Sequence, residues 1–264
     1  ITHNPTQIPS QPAYDIDTQQ MMDNQPHGGY EPFLLPLKMC PHKVTLILDL
    51  DETLVHSSFK PVPGADWVVP VEVDGTVHRV FVCKRPGLDL FMQKVAEMFE
   101  VVVFTASLDK YANPVLDLME KSAPTTVHHR LFREACVQTQ GALVKDLNRL
   151  GRDVRKVIIV DNSPMSYLLQ PDNAIPISSW FDAPTDQQLL LLLPWLYKLA
   201  SQDDVLPVLG DLRNALMECN GNLQGSPNVS MHSSHNGSGV MNHSQGTPMN
   251  MSQHSANSTY RFDI

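Results

Sequence analysis

Three runs of this sequence, VTLIL (44–48), EVVVFT (100–105) and RKVIIVD (155–161), are almost continuously apolar over the length of a strand. Strands covered on both faces read as unbroken aliphatic runs, whereas strands with one wet face alternate. Between these runs the apolar residues fall at helical spacing. A helix starting near Pro86 puts Leu88, Phe91, Met92, Val95 and Phe99 on one face. Further helices are expected around 109–121, briefly near 146–150, and near 185–200 and 204–217, with HHRLFRE (128–134) as a connecting element. Such alternation predicts an α/β fold, a parallel sheet with helices on both faces. One segment departs from it: DWVVPVEVDGTVHRVFVC (66–83) reads as a hairpin turning on Asp74-Gly75. A two-residue turn there pairs Val73 with Thr76, Val71 with His78 and Val69 with Val80. Alternation then puts Val69, Val71, Val73 and Val80 on one face.

The ends of the 264-residue chain differ in composition from this middle. Residues 1–40 are rich in Pro, Gln and Asn and are expected to be mostly disordered, with EPFLLPL (31–37) docking onto the domain. The catalytic domain is expected over 41–218. From 219 to 264 the chain is Asn, Ser, Gly, Met and His, a low-complexity tail with little to bury. The tail histidines His232, His235, His243 and His254 are irregularly spaced, and compositional bias explains them better than metal binding. The same bias explains the N-x-S/T triplets at Asn228, Asn236, Asn242, Asn250 and Asn257. A net charge of −9 supplies no basic field for a phosphate backbone, so direct nucleic-acid binding is not expected. The four cysteines are scattered and form no C-x-x-C pair, which fits reduced thiols in the nucleus or cytoplasm. No apolar run nears the roughly 20 residues of a membrane helix; LLLLLPWL (189–196) is short and contains Pro194.

Chemistry collects at the strand ends. The first apolar run leads into Asp49 and Asp51, the second into Thr105 and Ser107, the third into Asp161 and Asn162. Parallel sheets bind ligands outside the carboxyl ends of their strands, so polar groups at three such ends describe one site. Asp49 and Asp51, two apart in extended chain, project to the same side. Paired carboxylates divide work when one is ionised and the other holds a proton, and magnesium takes one or two carboxylates plus phosphate. A calcium loop of the EF-hand kind would need Asp or Asn at position 53 and Gly at 54, where the chain has Thr53 and Leu54. A cysteine nucleophile five residues before an arginine is also absent: Cys83 precedes Arg85 by two, and Cys136 has no arginine at that spacing.

The segments DLDETLVHSS, FTASLDKYANPVLDL, RLFREAC, KDLNRLGRD and DNSPMSYLLQPDNAIPISSW closely resemble the carboxy-terminal-domain small phosphatases. These belong to the DxDx(T/V) branch of the haloacid dehalogenase superfamily, and the resemblance covers roughly residues 40–210. It implies a Rossmann-like sheet with a small β-hairpin insertion and no large cap. Asp49 would be the nucleophile that becomes an aspartyl phosphate, and Asp51 the acid and then the base. Magnesium would be held by Asp49, the Asp51 carbonyl and Asn162, with Asp161 behind them. Thr105 would bond the transferred group, Lys145 would neutralise it, Thr53 would support the loop, and Arg133 would reach toward the peptide. Phe59, Val71, Val73, Val80, Leu108 and Tyr111 would form an apolar pocket for a proline next to phosphoserine, although spacing alone reads the hairpin valines as core.

The implied partner is a phosphorylated protein, such as the Ser-Pro repeats of the RNA polymerase II tail, bound by a monomeric catalytic domain. One departure lies at EKSAPTTVHHRLF (120–132), about two residues longer than usual in the family and without its tryptophan-glycine pair. Three rivals share the fold. A presequence-binding import receptor would show degenerate acidic motifs; a Dullard-type phosphatase at nuclear or endoplasmic membranes would want a membrane segment; a small-molecule phosphatase would want a cap.

Overall fold

A computed structural model describes residues 33–123, 126–139 and 141–224, with side chains as far as residue 215. The tail features named above lie outside these residues, as do most of the expected amino-terminal lead-in and Pro124 and Thr125 of the lengthened segment. The central sheet is five parallel strands in the order β10-β9-β1-β5-β6: β1 (Thr45–Leu48), β5 (Glu100–Phe104), β6 (His129–Leu131), β9 (Val157–Asp161) and β10 (Ala174–Pro176). β1 is central, with Leu48 level with Val103 on one side and Val160 on the other. The chain fills the β5–β6 side first and then crosses to β9 and β10, so the order reverses at β1. That reversal opens a crevice at the strands' carboxyl ends.

The unbroken aliphatic runs divide by alternation between two cores. Leu46, Leu48, Val101, Val103, Ile158 and Val160 belong to one. It also holds the buried faces of α1 (Leu88–Met98), α2 (Asp109–Ser122), α3 (Gln188–Leu199) and α4 (Leu206–Gln224). Ile47, Val102, Phe104, Val157 and Ile159 belong to the other, covered by Leu35, Leu147, Leu150 and Tyr167 from 3₁₀ turns and the amino-terminal approach. The short helix expected near 146–150 is one of these 3₁₀ turns. Among the described residues, no helix is long and apolar enough to cross a membrane.

The hairpin forms as its turn dictates. β3 (Trp67–Val73) and β4 (Thr76–Lys84) pair in the expected register, and Asp74 and Gly75 both have positive φ, 50° and 75°. Two positive φ values give the turn whose twist matches a hairpin. The sequence reading missed β2 (Val55–Ser58), which adds to β4 and makes this a three-stranded sheet. It also missed β10 and a second hairpin, β7 (Val137–Thr139) with β8 (Ala142–Val144).

At the amino end of the central sheet sits a buried charge cluster. Glu100, 1% exposed, accepts two bonds from Arg152 (2.9 and 2.7 Å) and one from Thr45 (2.7 Å). Arg152 also donates to the Pro36 carbonyl and Leu34 N–H to the Arg149 carbonyl, which seats residues 34–36 on the domain as the sequence led one to expect. Burial opposes the Glu100 charge, but Arg152 and Thr45 overcome it and pull the carboxyl from an ordinary 4.5 to about 2. The unfolded chain therefore binds this proton first, and acid removes the contribution. Above pH 4.5 Glu100 ionisation adds to stability, and that contribution is lost as pH falls through about 2. Urea unfolding across that range checks this: Glu100→Gln removes the contribution, so wild type and variant converge as pH drops.

Candidate active site

β5 and β9 each run one residue past the end of β1, and this register brings Asp49, Thr105 and Asp161 to one edge. Asp49 N–H donates to the Val160 carbonyl (3.0 Å), continuing the ladder one residue past the strand. Lys145 follows β8 immediately, and its N–H is fixed on the Ser166 carbonyl (2.7 Å). Its side chain, 1% exposed, passes the Phe104 ring and places Nζ 2.6 Å from both Asp49 Oδ1 and Asp161 Oδ2. Residues 96 and 16 positions away thus meet at one ammonium.

Asp49 spends its second oxygen differently. Thr53 Oγ1 lies 3.1 Å from Asp49 Oδ2 and 3.3 Å from Asn162 Oδ1, so the two oxygens face a common point. Asn162 Nδ2 donates to Ser179 Oγ (2.8 Å), which turns Oδ1 toward that point. Asp161 is occupied on both sides, by Lys145 and by the Ser163 N–H (2.8 Å), and stands behind the pair. Burial and the Asp161 charge push the Asp49 carboxyl up to about 7, against the pull of Lys145. Burial also draws the Lys145 ammonium down, but Asp161 and Asp49 outweigh it and hold it above its usual range.

One ammonium cannot neutralise two carboxylates, so when all three groups are ionised a buried excess of negative charge stands beside the Asp49 and Asn162 oxygens. Among the described residues no three His, Cys, Asp or Glu side chains form a metal cage. A cation held by one carboxylate, one amide oxygen and a main-chain carbonyl needs no such cage, and hard-oxygen sets with one or two carboxylates suit magnesium. The residues fit that ion.

Asp51 has a different environment. Tyr111 Oη donates to its Oδ1 (2.6 Å), Ser107 Oγ to its Oδ2 (2.7 Å), and Thr105 Oγ1 lies 3.4 Å from the same Oδ2. Burial raises this carboxyl, the Tyr111 bond works against it, and the Glu52 charge adds to the rise. Burial and the Asp51 charge keep the Tyr111 phenol protonated far into the alkaline range. The loop carrying these groups is clamped. Arg85, 1% exposed, grips Asp186 with two bonds (2.8 and 2.9 Å) and donates to the Thr53 carbonyl (3.1 Å). Glu52, at φ 58°, presents its carbonyl to Trp180 N–H.

Hydrogen bonds therefore join Asp49, Thr53, Lys145, Asp161 and Asn162 in one set and Asp51, Thr105 and Tyr111 in a second. The expected apolar pocket is less complete. Val71 and Val80 are at most 1% exposed and belong to the core, as alternation on a half-buried sheet requires. The Tyr111 ring is 2% exposed and serves Asp51. Of the six, Phe59, Val73 and Leu108 keep accessible surface, with Phe59 edge-on to His78. Arg133 Nε donates to the Ala106 carbonyl and its N–H to the Ser107 carbonyl, which braces the strand-end loop. Burial pushes the Cys136 thiol up to about 11 despite nearby Lys145, which agrees with discarding a cysteine nucleophile. Sequence reading missed Ser57, Arg85, Ser179 and Asp186, and gave Ser107 no role. An inward-facing serine on β2 is a signal of its own, because buried hydroxyls take partners.

A family model described as NLI interacting factor-like phosphatase matches residues 44–206. A Dictyostelium discoideum "Probable C-terminal domain small phosphatase" is 55% identical over 195 residues, 73% of this chain and 62% of that one. The Drosophila melanogaster "Phosphatase Herzog" is 58% identical, covering 64% of this chain and 47% of its own length. The human "Carboxy-terminal domain RNA polymerase II polypeptide A small phosphatase 1" is 57% identical over 63% of each chain. The chain thus spans about half to two thirds of the length of these relatives. Among solved structures, fission yeast Fcp1 bound to beryllium fluoride aligns at 20% identity and a TM-score of 0.44, covering 67% of this chain and 56% of that one. With 163 consecutive residues from Val44 to Leu206 matched, this chain belongs to the NLI interacting factor-like phosphatase family.

Proposed function

We propose that the chain is a magnesium-dependent protein serine/threonine phosphatase that works through an aspartyl phosphate on Asp49. The observation that supports this most is the unequal treatment of two neighbouring carboxylates: Asp49 accepts from an ammonium and from the Thr53 hydroxyl, and Asp51 accepts from the Tyr111 and Ser107 hydroxyls. In the first step an Asp49 oxygen attacks phosphorus, the bond from phosphorus to the serine oxygen breaks, and Asp51 gives that oxygen its proton. In the second step Asp51 takes a proton from water, the water oxygen attacks phosphorus, and the bond to Asp49 breaks to release phosphate. Lys145 and Thr105 meet the charge on the transferring group, and phosphoryl transfer asks mainly for such positioning and neutralisation. Asp49, Asn162 and the Asp51 carbonyl would hold magnesium, which supplies a Lewis acid for the phosphoryl oxygens.

A phosphorylated protein segment is the proposed substrate class. Between β1 and α1 the chain inserts only the three-stranded sheet of β2, β3 and β4, which leaves an extended chain room to enter. Relatives named for the RNA polymerase II carboxy-terminal domain support a phosphoprotein substrate; the substrate proposed is phosphoserine beside proline, met in the nucleus or cytoplasm. Phe59 and Leu108, which keep accessible surface, would receive the proline.

Asp49→Asn is expected to abolish magnesium-dependent release of phosphate across a panel of phosphopeptides and phosphometabolites; near-normal turnover would remove the covalent mechanism. Phe59→Ala and Leu108→Ala should lower kcat/KM for Ser-Pro phosphopeptides through KM while sparing a small aryl phosphate. Equal losses on both substrates would count against the pocket.

A further inference from the structure

Two hydroxyls that take no part in phosphoryl transfer are linked to Asp51 through one another. Tyr111 Oη, 2.6 Å from Asp51 Oδ1, lies 2.6 Å from Ser57 Oγ on its other side. Tyr111 and Ser57 are 2% and 3% exposed, so both hydroxyls are committed to this chain of bonds. The three groups come from separate elements: Asp51 from the loop after β1, Tyr111 from the first turn of α2, and Ser57 from β2. Ser107 holds the other oxygen, Oδ2, at 2.7 Å. One anchor on each oxygen fixes the rotation of a carboxyl group about its last bond, which a single anchor leaves free. Ser57 is level with Val82 of β4, so the far end of the chain is part of the inserted sheet.

We propose that Tyr111, backed by Ser57, is a positioning residue for Asp51, holding its carboxyl so that the proton meets the leaving serine oxygen. The resemblance would make Tyr111 a wall of the proline pocket, but a ring this deeply covered has little surface to offer a peptide. Its phenol has a defined task. The inference rests on the reading of Asp51 as proton donor, and it adds that the donor's aim is set by the sheet inserted between β1 and α1. A general acid must lie within hydrogen-bond reach of its target, so a small misdirection weakens the transfer.

The test varies the leaving group. A serine oxygen leaves poorly without a proton, whereas p-nitrophenolate leaves well without one. Single-turnover kinetics with enzyme in excess and saturating magnesium, whose limiting rate and half-saturation give kcat and KM for the first step alone, would compare wild type, Asp51→Asn, Tyr111→Phe and Ser57→Ala on a phosphoserine peptide and on p-nitrophenyl phosphate. Thermal melting of each variant reports its folding. Tyr111→Phe should lower kcat on the peptide roughly tenfold, the scale of one hydrogen bond to a charged group, with little change in KM and a far smaller loss on p-nitrophenyl phosphate. Ser57→Ala, which keeps the tyrosine, should shift the same ratio in the same direction by less, and it decides the matter if Tyr111→Phe melts early. Equal losses on both substrates, or a change in KM alone, would overturn the inference. If Asp51→Asn shows the leaving-group dependence and Tyr111→Phe does not, only the inference falls. If Asp51→Asn lacks it as well, the acid assignment itself is wrong and the inference falls with it.

Discussion

The ammonium of Lys145, shared between Asp49 and Asp161, is the interaction on which the site depends. Register in the central sheet sets these two carboxylates side by side, where burial and the Asp161 charge oppose ionisation of Asp49. Lys145 answers with two 2.6 Å bonds and cannot leave without stranding like charges in a region almost closed to solvent. Breaking a buried ion pair by removing one partner costs about 3–5 kcal/mol in typical cases. The same arrangement leaves an excess of one negative charge when all three groups are ionised. That excess is what a phosphate dianion could not approach unaided, so the pair of oxygens on Asp49 and Asn162 gives the site its logic: cationic charge held there would invert the local field.

The groups around this centre are held by regular structure and by clamps on the connecting loops. Asp49, Thr105 and Asp161 sit one residue beyond, or at the last residue of, strands whose positions the ladder fixes. Arg85 ties the Thr53 carbonyl to Asp186, Trp180 bonds the Glu52 carbonyl, and Ser179 sets the Asn162 amide. These bonds draw the segment after β10 onto the loop after β1. Catalytic groups need placement within a fraction of an ångström, which rigid elements and interlocked hydrogen bonds supply better than free loops.

Much of this frame was legible, for reasons specific to each element. The β3–β4 register followed residue for residue because a two-residue Asp-Gly turn admits one pairing. The strands buried on both faces announced themselves by unbroken aliphatic runs. Other features left no periodic trace. β7, β8 and β10 have three residues each, too few to show alternation, yet the first two deliver Lys145. An amphipathic helix reveals its apolar face but not which side of a sheet it covers, so sequence could not assign all four α-helices to one core. The hairpin valines show the reverse limit: their alternation correctly marked an inward face, and the core claimed Val71 and Val80 before any ligand could. The partnership of Arg85 with Asp186, 101 positions away, has no local signal at all.

The two aspartates of the DLDET segment are two residues apart and alike in burial, so their different work must come from their neighbours. Burial raises both carboxyls. Asp49 is then set against a cation, which favours its ionised, nucleophilic form, while Asp51 meets neutral hydroxyls and a like charge on Glu52. Neutral donors stabilise a carboxylate less than an ammonium does, yet burial and the Asp161 charge still carry the Asp49 carboxyl up to about 7, so a cation held by the Asp49 and Asn162 oxygens would be what keeps Asp49 ionised beside Lys145. Pairs of titratable groups pushed apart by environment are how one site obtains both a nucleophile and an acid. Here the separation is written into which side chain arrives at each oxygen: Lys145 from the β7–β8 hairpin at one aspartate, Tyr111 and Ser107 from the β5–α2 junction at the other.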